Sequence, residues 1–255
     1  MAEGDTVFRW ARDLERAFEG RRVECAEAPN PRSPLRRTVS RLAGLELDRA
    51  ESRGKHLLLR FRGGLVLHSH MGMNGSWRVR EHGVSPGHRT KAAWLALNLG
   101  DLEVAQYGGP TIRLVREVAL GRDSRLGSLG PDPLAQDFDP ARAAAALATA
   151  GQTELGEALL DQRRLAGIGN IFKSEACFEA RVSPWRAVDS FDPEELERII
   201  GIARRQLLAG AETGRRPGRI YRKAGRPCPR CRGRIAAKGQ GLDSRITYWC
   251  PGCQL

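Results

Sequence analysis

CPRCRGRIAAKGQGLDSRITYWCPGC, residues 228–253, sets two Cys-X-X-Cys pairs with eighteen residues between them. Each pair offers two thiolates to one tetrahedral ion, so Cys228, Cys231, Cys250 and Cys253 read as a four-thiolate zinc site. Two disulfides would use the same thiols. The start of the chain, MAEGDTVFRW (1–10), carries acids at once and no apolar signal core, which points to the cytoplasm, where disulfides are rare. Between the pairs, β-prone RIAAK (234–238) and RITYW (245–249) flank a turn-rich middle. The segment reads as a β-hairpin whose ends are pinned by the metal. A ribbon this short has almost no core, so zinc supplies the missing stability and holds Arg245 rigidly in place. Cys25 and Cys177 lack matching partners and are expected as small buried residues.

The charge pattern extends this reading. Lys and Arg number 42 against 30 acids, for a net charge of +12. Only five of these cations are lysines, which leaves 42 − 5 = 37 arginines. Arginine presents a planar fork suited to phosphate. Between Arg215 and Arg245 there are eleven basic residues and one acid, Asp243, a local balance of 11 − 1 = +10. Such concentration is the footprint of a polyanion partner, above all a nucleic acid. No apolar run of about eighteen residues is present, so no membrane span is expected.

Upstream, the sequence changes style twice. Val7, Trp10, Ala11, Leu14, Ala17 and Phe18 recur at helical spacing, with Asp5 or Thr6 as the N-cap. From about residue 21 to 120 short strands dominate: HLLLRF (56–61) and GLVLHSH (64–70) meet at Gly63-Gly64, while AWLALNL (93–99) and LEVAQY (102–107) flank Gly100-Asp101. Both are hairpin signals, and the expected product is an antiparallel β-sandwich with a flanking helix. His68 and His70 alternate on one strand and are read as packing or hydrogen-bonding residues rather than metal ligands. GSLGPDPL (127–134) reads as a linker. Beyond it the chain is helical, with an Ala-rich stretch at 141–150 and a helix capped by Asp192 with Pro193 at its first position. The fold class is therefore α+β, with expected segments at 1–126 (β-sandwich), 127–140 (linker), 141–220 (helical, nucleic-acid-binding) and 221–255 (zinc finger).

LLDQRRLAGIGNIFKSEACF (159–178) is the second motif. A helix is expected through Gln162, a break at Gly167-Ile168-Gly169, and a new helix opening at Asn170 as its N-cap, whose free N–H groups would face an anion. An ordinary helix–turn–helix corner would explain GIG alone. Beside a basic zinc ribbon, phosphate binding explains it better.

Together these motifs resemble the formamidopyrimidine-DNA glycosylase / endonuclease VIII family. LLDQRRLAGIGNIFKSEA resembles its helix–two-turn–helix, and IYRKAGRPCPRCRGRI…SRITYWCPGCQ its C-terminal zinc finger. AEGDTV (2–7), SRGKHLLLRF (52–61) and HMGMNGSW (70–77) resemble its N-terminal motifs, and LGPDPL (129–134) its interdomain segment. The resemblance implies a bifunctional glycosylase and abasic-site lyase that excises oxidised bases flipped out of damaged double-stranded DNA, with single strands as a further substrate form. It implies a monomer, cytoplasmic and nucleoid-associated through DNA, with one structural zinc ion. The implied nucleophile is the amine of Ala2, freed by removal of Met1. Glu3 matches the acid that protonates the sugar, and Lys55 the lysine that binds phosphate at the lesion. Asn170 and Arg245 match the residues gripping the flanking phosphates, with Gln162 and Lys173 as further DNA contacts. Met73 matches the side chain that fills the gap left by the flipped base.

Three departures stand out. AQYGGPTIR (105–113) lacks the Arg-Phe pair of the second wedge loop, with Tyr107 as a candidate substitute, and the stretch from Leu208 to Tyr221 is too short for an 8-oxoguanine capping loop. Both favour the endonuclease VIII branch and oxidised pyrimidines. The third is Ala2, where the family has proline. It leaves three readings open: a slower enzyme, an engineered replacement, or a protein that binds damaged DNA without chemistry.

Overall fold

The computed structural model describes residues 2–83 and 91–255. The chain divides into two compact units, one formed by Ala2 with Thr6–Gly127 and the other by Glu3–Asp5 with Ser128–Leu255. Met1, whose removal the sequence reading requires, lies outside the described residues.

The first unit grows from hairpins. Strands β1 (Cys25–Glu27), β2 (Leu47–Arg53), β3 (His56–Phe61), β4 (Leu65–His70), β5 (Ser76–Glu81), β6 (Leu95–Asn98), β7 (Leu102–Tyr107) and β8 (Thr111–Arg116) form two four-stranded sheets, ordered β1-β6-β7-β5 and β2-β3-β4-β8. All pairs are antiparallel. The Gly63-Gly64 turn joins β3 to β4 with Phe61 opposite Leu65, as the two glycines at positive φ permit. Helix α1 (Gly4–Phe18) buries Val7, Ala11, Leu14 and Phe18 in a core shared with Leu57, Leu59, Phe61, Leu67, Trp77 and Val104. Each large aliphatic buried there stabilises the unit by roughly 1.5–3 kcal/mol. Two short helices, α2 (Glu117–Leu120) and α3 (Ser124–Gly127), end the unit. Cys25 departs from expectation: it is exposed on the edge strand β1, whereas Cys177 is fully buried.

The second unit is helical until its end. It contains α4 (Pro140–Ala148), α5 (Leu155–Ala158), α6 (Asn170–Ala180) and α7 (Pro193–Thr213), followed by strands β9 (Ala236–Gln240) and β10 (Arg245–Trp249). Asp139 caps α4, accepting the N–H groups of Ala141 and Arg142, and Pro140 takes the first turn. Asp192 and Glu195 form a reciprocal capping box on α7, which closes on Gly214 in the left-handed region. Leu196, Ile199, Ile200, Ala203 and Leu207 of α7 are buried, as are Ala143, Ala144 and Leu147 of α4. The hairpin pairs Arg245 with Gln240 and Trp249 with Ala236. Two helix boundaries differ from the sequence reading. α1 begins at Gly4, so Asp5 lies inside its first turn, with its carboxylate engaged by Arg216 rather than by a cap. α5 stops at Ala158, well short of Gln162, and turns carry the chain on to Gly169.

Candidate functional site

In the helical unit, residues 3–5 are held at three successive positions. Glu3 is fully buried, and its Oε1 accepts the Ile171 N–H in the first turn of α6 at 3.1 Å. Gly4 donates its N–H to the Gly167 carbonyl at 2.9 Å. Asp5 takes a bidentate contact from Arg216, with Nε and Nη2 each 2.6 Å from a carboxylate oxygen. The carboxyl group of Glu3 thus sits at the N-terminus of α6, beside a backbone donor. Gly169 makes this possible: a Cβ built there would collide with the Glu3 carboxyl group.

Asn170 differs from the cap expected of it. Gly169 is the N-cap residue, and Asn170 is the first helical residue. Its Nδ2–H donates to the Ile246 carbonyl at 2.7 Å, while Oδ1 is buried without a hydrogen-bond partner among the described residues. The neighbouring Arg245 side chain is exposed. Asn170 and Arg245 are therefore brought together, one at the start of α6 and the other at the start of β10.

Of the two further DNA contacts expected, Gln162 is half-buried and Lys173 is buried, and both are engaged by groups of their own unit. Gln162 braces the corner: Nε2 donates to the Leu160 and Ile168 carbonyls, and Oε1 accepts from Gly167 N–H. With both ends of the amide engaged, it shapes the turn. Lys173 is fully buried. Its Nζ donates to Thr247 Oγ1 at 2.6 Å, and that hydroxyl donates to Gln240 Oε1 at 2.6 Å. Burial pushes the Lys173 ammonium down to about 8. Its place is inside the joint between α6 and the hairpin, where it supports the strand bearing Arg245.

The four cysteines of the two pairs are free thiols whose Sγ atoms all lie within 4.8 Å of one another. Cys228 and Cys253 are 3.8 Å apart, and Cys231 and Cys250 3.5 Å. Four sulfurs around a tetrahedral ion at about 2.3 Å lie about 3.8 Å apart, so the donor set fits one metal ion. Of the eleven basic residues from Arg215 to Arg245, nine are exposed; Arg216 and Arg230 are partly covered.

In the β-sandwich unit, the Ala2 N–H donates to the Gly72 carbonyl at 3.3 Å, and Ala2 packs against the sandwich core. Gly72 opens the turn that carries Met73, which is 55% exposed, whereas Met71 fills the core. Lys55 occupies the two-residue turn between β2 and β3, after Gly54 at φ 58°. Tyr107 ends β7 and is half-buried.

These arrangements agree with what the chain matches. The N-terminal domain model of formamidopyrimidine-DNA glycosylase covers residues 1–109, and the helix–two-turn–helix domain model of the same enzyme covers 129–219. The chain belongs to the formamidopyrimidine-DNA glycosylase and endonuclease VIII family. Among its relatives, the Streptomyces coelicolor protein named "Probable endonuclease 8 2" is 40% identical, spanning 100% of this chain and 94% of that protein. The DNA-(apurinic or apyrimidinic site) lyase of Mycolicibacterium smegmatis is 36% identical over 100% of this chain and 99% of that protein. The crystal structure of Lactococcus lactis formamidopyrimidine-DNA glycosylase bound to DNA with an abasic site superposes with a TM-score of 0.84 at 23% identity, covering 99% of both chains. That likeness shows the fold.

Within this family member, several supporting residues escaped the sequence reading. Glu175 is buried and accepts three consecutive backbone N–H groups, from Arg219, Ile220 and Tyr221, at 2.8–3.0 Å. Together with Asp5–Arg216, it ties down the short segment after α7. A buried acid amid the apolar face of α6 was the available signal, because an acid in that setting needs donors. Nothing in the sequence named the donors.

Proposed function

We propose that this family member is a DNA-repair glycosylase with abasic-site lyase activity, acting on oxidised bases, above all pyrimidines, in double-stranded DNA. The observation that carries the reading is Glu3: a fully buried carboxylate seated on the N-terminus of α6, one residue after Ala2. Once Met1 is removed, the Ala2 amine attacks C1′ of the flipped nucleotide. The C1′–base bond breaks, and its electron pair leaves with the base. The Glu3 carboxylate takes the proton that the attacking amine loses and gives it to O4′ as the sugar ring opens, leaving an imine between Ala2 and C1′. Loss of a proton from C2′ then expels the 3′ phosphate, and water hydrolyses the imine. An α-amine with a pKa of about 7.7–8 retains a useful neutral fraction at physiological pH.

Lys55 holds phosphate at the lesion, Asn170 and Arg245 grip the flanking phosphates, and Met73 enters the gap left by the base. Zinc is the metal that four thiolates at this spacing favour; bound to Cys228, Cys231, Cys250 and Cys253, it would stabilise the hairpin. The protein acts as a monomer in the cytoplasm, at the nucleoid. The division of labour follows residues 1–126 for chemistry, 127–140 as linker, and 141–220 and 221–255 for DNA. Among the described residues, no helix is long and apolar enough to cross a membrane.

Ala2 supports a second reading, damaged-DNA binding without turnover, because a free terminal alanine lacks the ring that pre-orients proline's amine. The two readings separate on a duplex containing an oxidised pyrimidine. Base release with strand cleavage supports the enzyme, and tight binding without either supports the binding protein.

A further inference from the structure

Strands β3, β4 and β8 carry a polar row that the chemistry above does not use. His68 of β4 is buried and stands opposite Arg113 of β8 in the register. Arg113 donates Nε–H to His68 Nδ1 at 3.0 Å. An arginine only donates, so Nδ1 of His68 must accept, and the single proton of the neutral ring sits on Nε2. That Nε2 lies 2.9 Å from Nδ1 of His56 on β3. It therefore donates there, and by the same count His56 carries its own proton on Nε2. Asp123 pairs with Arg113 and fixes the head of the relay. Burial, helped by Arg113, Arg125 and the neighbouring histidines, pushes His56 down to about 3 and His68 to about 4, so both rings are neutral at physiological pH.

The relay ends one residue after Lys55, whose charge acts on His70. His56 pairs across the sheet with His70, their ring centroids 4.8 Å apart. The Nε2–H of His56 has no hydrogen-bond partner among the described residues. We propose that this Nε2–H is a second donor to the DNA phosphate bound by Lys55, oriented by the Arg113–His68–His56 relay. The inference rests on the DNA-binding reading above. Lysine supplies a rotatable point charge and no direction. A ring N–H with a fixed tautomer supplies direction and no charge, so it selects where the phosphate sits without adding to non-specific attraction.

This difference makes the proposal measurable. Affinity for a duplex containing a reduced abasic-site analogue is measured across salt for the protein and for His56→Phe, His56→Gln and Lys55→Ala. Lys55→Ala should weaken binding and lower the salt slope by about one. His56→Phe should weaken binding about ten-fold with the slope unchanged, because it removes a neutral donor. His56→Gln, which keeps an N–H, should recover most of the loss. Nitrogen-15 spectra should show His56 as the Nε2–H tautomer, with His68→Phe releasing that preference. If His56→Phe binds as tightly as the parent while Lys55→Ala is impaired, the proposal falls and the DNA reading stands. A fall in slope with His56→Phe, or an Nδ1–H tautomer in the parent, overturns it as well. If the parent prefers neither damaged nor intact duplex and Lys55→Ala changes nothing, the DNA reading itself falls.

Discussion

Asn170 donates its side-chain amide to the carbonyl of Ile246 across 2.7 Å, joining the first residue of α6 to the residue after Arg245. The bond makes the corner of the helix–two-turn–helix and the edge of the hairpin that the four cysteines flank one hydrogen-bonded unit. Lys173, through Thr247, repeats the connection one turn deeper.

This coupling separates two substitutions. Arg245→Ala removes one exposed charge, so affinity for abasic-site duplex should fall and the salt slope should drop by about one. Asn170→Ala removes a neutral contact and frees the Ile246 carbonyl. It should weaken binding with an unchanged slope and lower the thermal midpoint by an amount equivalent to about 1 kcal/mol. Equal slopes for the two variants would contradict the role given to Arg245.

Metal removal should act locally. Elemental analysis of protein purified without chelators should give one zinc per chain. Cys250→Ser should unfold the hairpin and abolish tight DNA binding, while the β-sandwich keeps its circular dichroism signature in the β region. Zinc-free protein with an intact hairpin would remove the structural role assigned to the metal.

Ala2 makes a kinetic prediction. Borohydride added during incubation with abasic-site duplex should trap a covalent adduct that peptide mass spectrometry maps to Ala2. Ala2→Pro should accelerate trapping, since a ring-held amine is better oriented and misplacement alone costs on the order of 100-fold. Equal trapping rates would show that the ring is irrelevant here.

The histidine relay sets a pH window. His56 and His68 have folded values lowered to about 3 and about 4, against about 6.5 when unfolded. The unfolded chain therefore binds more protons below about pH 6.5, and the stability present above that pH drains away as pH falls through the folded values. Each ring contributes a slope of at most about 1.4 kcal/mol per pH unit between roughly pH 6 and 4. Urea unfolding across this range should show His56→Phe with a shallower slope by about one proton. An unchanged slope would mean that His56 is not held neutral.

Much of this protein was legible in its sequence because the relevant interactions are local. A Cys-X-X-Cys knuckle, a Gly-Gly hairpin turn and an Asp-Pro helix start are decided by neighbours within a few residues, so the clustering of the two cysteine pairs, the β3–β4 hairpin and the start of α7 were read correctly. Ala2, Glu3, Lys55, Asn170 and Arg245 came from motif resemblance, and the fold then set Asn170 beside Arg245. What the sequence left open was every partner distant along the chain. Asp5 looks like a helix cap until Arg216, 211 residues away, reaches its carboxylate. Lys173 looks like a surface cation until Thr247 covers its ammonium, and a spaced histidine pair says nothing of Arg113 or His56. A buried charge or imidazole must find donors and acceptors wherever the packed chain supplies them. Only the tertiary structure decides which ones those are.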